Sequence, residues 1–122
     1  MKKLFIIVVV CKLACSCTWE NEETLYPITD KECDTTQITF NADIAPMLAS
    51  YCYSCHSNLN APDFGNNIKL EHYDDVSSFS ATILSAIRHE QGFQPMPKDG
   101  TRLNECFILS FEAWTNNGKP VN

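Results

Sequence analysis

Positive charge is scarce in this sequence. Its 122 residues carry nine Lys and Arg against fifteen Asp and Glu, a formal net charge of −6. Nucleic-acid binding is excluded on that ground, because no basic footprint exists to neutralise phosphates. A positively charged protein partner is compatible with the same surface. The chain also lacks an apolar run long enough to cross a bilayer, since Leu4–Cys11 falls well short of the roughly 20 residues required. There is no internal repeat, no low-complexity tract and no set of alternating strands. Paired carboxylates and a Ser-His-Asp grouping at a readable spacing are missing as well, so nothing points to catalysis by this chain alone.

What is present begins at the N-terminus. Lys2 and Lys3 precede the apolar run, and small residues and cysteines follow it, then an acidic tract. That order reads as an export signal over residues 1–16. It resembles a bacterial lipoprotein signal, in which a lipid-modified cysteine becomes the mature N-terminus. Two cysteines could take that role. Lys12 sits three residues before Cys15, an unusual residue there, whereas Ala14 and Ser16 precede Cys17; Cys17 is therefore the expected lipid site. An uncleaved anchor or a plain secretory peptide is the alternative. Removing residues 1–16 takes away three lysines and no acid, which moves the charge from −6 to −9 over the remaining 106 residues. Residues 17–32 are polar and aperiodic, and read as a tether from a membrane surface to a single domain at 33–122. The expected location is exported, on the periplasmic or cell-surface side.

Within the domain, hydrophobic spacing predicts helices. The first starts near Asp43, a good cap, with Pro46 in its first turn and Ile44, Leu48 and Tyr51 along one face. Residues 57–70 are dense in Asn, Gly and Pro and read as loop. A second helix is expected from about Val76 to Glu90, with Val76, Phe79, Ile83 and Ile87 as its stripe and Gly92 ending it. A third is expected from about Glu105 to Asn117, capped by Asn104, with Phe107, Phe111 and Trp114 at i, i+4 and i+7. Three short helices and long loops make a thin core for 106 residues.

The chemistry concentrates in "SYCYSCHSN", residues 50–58, where Cys52, Cys55 and His56 stand in the spacing C-x-x-C-H. Three chemistries use such a group. A redox dithiol wants a strand-to-helix setting, which is not seen around Cys52. Zinc could take Cys52, Cys55 and a distant His72 or His89, but no second close ligand pair supports it. The third is covalent haem attachment, in which the cysteines form thioethers and the following histidine faces the iron. Met96, between Pro95 and Pro97, is then the candidate for the opposite face; a backbone restrained by two prolines lowers the cost of ordering it. His72 or His89 could take that place in a bis-histidine arrangement.

Here the sequence resembles the class I-type monohaem cytochrome c domains of bacterial exported proteins. The matching pieces are "DIAPMLASYCYSCHS", "IKLEHYDDV", "ILSAIRH", "PMPKDGTRL" and "FEAWTNNGKP", within roughly residues 33–119. The resemblance implies a small all-α cytochrome c-like fold around one haem c. It implies Cys52 and Cys55 as the covalent anchors, His56 and Met96 as axial ligands of the iron, and Trp114 packed near the haem. Single-electron transfer between an unidentified redox donor and acceptor follows. A haem-based sensor or ligand-binding module, or a redox subunit of a larger complex, is the alternative. The chain is shorter and more acidic than the long members of that family, so their usual partner does not carry over.

Of seven cysteines, Cys11 and Cys15 fall in the signal, Cys17 is the lipid candidate, and Cys52 and Cys55 belong to the motif. Cys33 and Cys106 are left as one pair, and an exported compartment permits their disulfide. Two buried free thiols are the alternative.

Overall fold

The structure is a computed structural model and describes residues 33–98, 100 and 102–122. The expected signal, the Cys17 lipid site and the tether lie outside them. The described residues fall in one compact unit, Glu32–Asn122. They form five helices and no strand, so the domain is all-α. We label them α1 (Ala45–Tyr51), α2 (Tyr53–His56), α3 (Ala61–Phe64), α4 (Tyr73–Ile87) and α5 (Glu105–Asn116). A wide π-type turn, Phe40–Ile44, leads into α1.

The cap of that turn is Thr39, four residues earlier than the expected Asp43. Thr39 is extended, and its hydroxyl accepts from the Ala42 N–H at 3.3 Å. Asp43 still caps, but backwards: its carboxylate accepts from the Thr39 N–H at 2.8 Å. The pair forms a reciprocal capping box that satisfies two otherwise orphaned donors. Phe40 and Ile44 become buried as a result, and Pro46 still falls in the first turn of α1.

α4 begins at Tyr73 and ends at Ile87, earlier at both ends than the expected Val76–Glu90. Its buried stripe is Val76, Ser80, Ile83 and Ile87; Phe79 is 46% exposed. The spacing i, i+4, i+7, i+11 tracks one helical face better than a stripe through Phe79. His89, not Gly92, takes the left-handed position after the helix, at φ +58°. α3 lies inside the stretch expected to be loop. Asn60 explains the local order there, because its amide donates to the Ser54 carbonyl at 3.0 Å and ties the chain back to α2.

α5 runs over the expected span, with Asn104 accepting from the Phe107 N–H at 2.8 Å. It packs against α4 and against the Phe40–Ile44 turn. Phe107, Ile108, Phe111 and Trp114 are its buried face. Trp114 is fully buried, with Phe40 at 5.9 Å, Tyr73 at 6.2 Å and Phe111 at 5.4 Å between ring centroids. Its indole N–H donates to the Pro120 carbonyl at 3.0 Å, and Phe40 N–H donates to the same carbonyl at 2.9 Å. The C-terminal residues thereby close over the start of the domain.

A disulfide joins Cys33 to Cys106, which lie 73 positions apart in sequence and 5.4 Å apart between Cα atoms. It pins the lead-in to the first turn of α5. Arg88 and Glu112 add an ion pair between the end of α4 and α5. The Glu112 carboxylate bonded to it holds the Arg88 guanidinium above its ordinary range. Both side chains are about a third exposed, so the pair adds little to stability.

Candidate functional site

The C-x-x-C-H segment is helical but broken at its first residue. α1 ends at Tyr51, Cys52 adopts φ −119°, and α2 resumes at Tyr53. The turn is kept by the Cys55 and His56 N–H groups, which both donate to the Cys52 carbonyl, at 3.1 and 2.8 Å. Cys52 and Cys55 are free and half-buried. Burial raises the Cys52 thiol from its ordinary 9.0 to about 11. A thiol so raised holds its proton at neutral pH and is a poor nucleophile.

His56 is held tightly. Its Nδ1 lies 2.8 Å from the Ile68 carbonyl, which can only accept, so Nδ1 carries the proton. In the neutral ring Nε2 is then left as a free acceptor. Gly65 closes over the same ring: a Cβ there would press on the Cys55 carbonyl and stand 2.9 Å from His56 Nδ1. Only glycine permits that approach.

Met96 reaches the site from the other side. Its N–H donates to the Ala86 carbonyl at 3.1 Å, and its carbonyl lies 3.1 Å from His89 Nε2. Two adjoining cavities result. The smaller, of about 150 Å³, is lined mainly by Ile68, Leu70, Phe79, Ile83, Ala86 and Ile87, with Phe93 among its walls. The larger, of about 720 Å³, adds Tyr51, Cys55, Phe64, Gly65, Pro97, Lys98 and Leu103. Cys52, His56, Ile68, Ile87, Gln94 and Met96 border both, so the two form one continuous recess.

The structure therefore brings Cys52, Cys55, His56 and Met96 to one recess, although Met96 lies forty residues beyond His56. It does not bring Trp114 there; that ring belongs to the aromatic cluster at the C-terminus. His72 and His89 do not line the recess either. His72 pairs with the Asn58 amide at 3.0 Å. Sequence reasoning missed Gly65 and Ile68, whose roles come from a close approach and from a backbone carbonyl. Neither leaves a side-chain signal.

No family model, no curated protein and no solved structure matches the chain. The reading drawn from the resemblance is corrected accordingly, and the chain is not assigned to the class I-type monohaem cytochrome c family. Haem c and iron as cofactors, iron ligation by His56 and Met96, and thioether attachment at Cys52 and Cys55 came with that family and are withdrawn with it. Single-electron transfer, haem sensing and a redox-subunit role go the same way. Among the described residues, no group of three or more His, Cys, Asp and Glu side chains could hold a metal ion, which also removes the zinc reading. The domain's disulfide lies at Cys33 and Cys106, away from the motif, whose cysteines are free thiols. The physical reason is that C-x-x-C-H spacing dictates only a local turn. It sets two thiols and an imidazole side by side without specifying what they hold.

Proposed function

We propose that the domain is a binding module for a largely apolar ligand, held in the recess between α2, the C-terminal half of α4 and the Met96 loop. The carrying observation is the recess itself. Its apolar part, of about 150 Å³, opens to solvent, and its walls offer water few polar partners, which favours an apolar occupant. Both parts of the recess open to the surface, so a ligand has a way in. In this proposal three main helices, α1, α4 and α5, and long loops wrap around a bound group. His56 Nε2 and the Met96 sulfur are the polar handles that orient the ligand, and the thiols of Cys52 and Cys55 stand beside it.

The test uses the full chain exported with its own leader. Native mass spectrometry is expected to find a bound apolar molecule, or the empty chain to bind anilinonaphthalene sulfonate at one site. Ala86→Leu, which fills the smaller cavity, is expected to abolish that binding without lowering the melting temperature. A chain that neither retains a ligand nor binds the dye overturns the proposal.

The location we propose is an exported one, with Cys17 anchoring the chain to a membrane surface. The Cys33–Cys106 disulfide supports export, because such bonds persist in oxidising compartments. No helix among the described residues is long and apolar enough to cross a membrane. Cys17→Ala is expected to release the protein from the membrane fraction; retention after that change, and loss only with Cys15→Ala, would move the lipid to Cys15.

A further inference from the structure

The end of α4 holds an anomaly. Its last carbonyls are closed by the His89 N–H donating to Ala86 at 3.2 Å and the Glu90 N–H donating to Ser85 at 3.0 Å. This is the pattern in which a left-handed residue, usually glycine, follows a helix. The chain places His89 there at φ +58°, while Gly92 stands three residues further on in a later turn. A histidine in that conformation is strained relative to glycine.

What the side chain gains is visible. His89 Nε2 lies 3.1 Å from the Met96 carbonyl, and a carbonyl can only accept, so the ring donates. Pro95 and Pro97 have no N–H, so Met96 supplies the one amide donor of that tripeptide, and it is spent on the Ala86 carbonyl at 3.1 Å. The Met96 peptide is thus gripped on both sides by the terminus of α4.

We infer that His89 is a positioning residue for the recess: its imidazole fixes the Met96 loop so that the Met96 side chain forms a wall of both cavities. The inference rests on the ligand-binding reading for its functional meaning, and the test separates the two. In the full chain, His89→Gly removes both the ring and the backbone strain. The melting temperature is expected to hold or rise. Amide exchange at Met96 is expected to quicken about fivefold, the worth of one ordinary hydrogen bond. Dye binding in the recess is expected to weaken, and His89→Gln, which keeps a donor, to recover part of the Met96 protection. Unchanged Met96 exchange in His89→Gly overturns the inference whatever the dye does. Faster exchange throughout the domain with a lower melting temperature also overturns it, since that marks a merely structural residue. Quickened Met96 exchange with undiminished dye binding also overturns it, because the recess then does not depend on the grip, and leaves the ligand-binding reading standing; a wild-type chain that binds no dye defeats that reading instead.

Discussion

The Cys33–Cys106 bridge is the largest single constraint on this domain, and its removal should be costly. The perturbation is Cys33→Ser with Cys106→Ser. The bond closes a loop of 73 positions, which takes in nearly every packed element from the lead-in to the first turn of α5. In the chain-entropy picture, opening a loop of that length in the unfolded state costs about 4.4 kcal/mol at 25 °C. Small domains have about 5–15 kcal/mol in total, so this is a large share. The folded state should change little, because the lead-in has other attachments. The Thr39–Asp43 box and the hydrogen bonds from Phe40 and Asn41 to the C-terminal residues remain. The loss should therefore appear as easier unfolding with the same helical content. Urea titration followed by circular dichroism measures it. With an m-value of about 1–1.5 kcal/mol per molar, the midpoint should fall by about 3–4 M. A fall worth less than about 1 kcal/mol would refute the reasoning, because the unfolded chain would then be ordered without the bond.

Three further outcomes follow from the site and the core. Burial raises the Cys52 thiol from 9.0 to about 11, so folded and unfolded chains both hold this proton below the lower value. As pH rises between the two, the unfolded state deprotonates first, and stability should fall by about 3 kcal/mol. Cys52→Ala should remove that part of the alkaline loss in paired urea titrations. Gly65→Ala should cost about 1–3 kcal/mol and shift the His56 ring resonances in NMR spectra, because the added methyl has no room between the Cys55 carbonyl and the ring. Unmoved His56 signals would show that the loop yields instead. Trp114→Ala should cost about 3–5 kcal/mol by thermal unfolding, through lost packing against Phe40, Tyr73 and Phe111 and the lost bond to Pro120. Its effect on ligand retention should come only through that instability, since the ring does not line the recess.

Much of the helical content was legible in the sequence. Phe107, Phe111 and Trp114 mark α5 by spacing, and Asn104 marks its start, because a cap acts within three residues. The all-α class follows from the same local signals. The cysteine count singled out Cys33 and Cys106, and they are the pair the structure joins. Other boundaries needed more than a local window. Thr39 and Asp43 cap each other reciprocally, and a Thr four residues before an Asp looks ordinary until both bonds are seen. α3 forms in a stretch that composition marks as loop, held by the Asn60 side chain reaching back to α2.

The recess belongs to the tertiary structure. By itself the sequence determined a turn carrying two thiols and an imidazole, and a methionine stiffened by flanking prolines. Their meeting depends on α4 ending at Ile87 and on His89 accepting a left-handed backbone to grip the Met96 carbonyl. The orientation of His56 depends on a carbonyl twelve residues away and on the missing side chain of Gly65. Spacing along a chain specifies neighbours within a turn or two. Which distant walls enclose a cavity is decided by packing, and packing placed Trp114 at the C-terminal closure and Met96 at the recess.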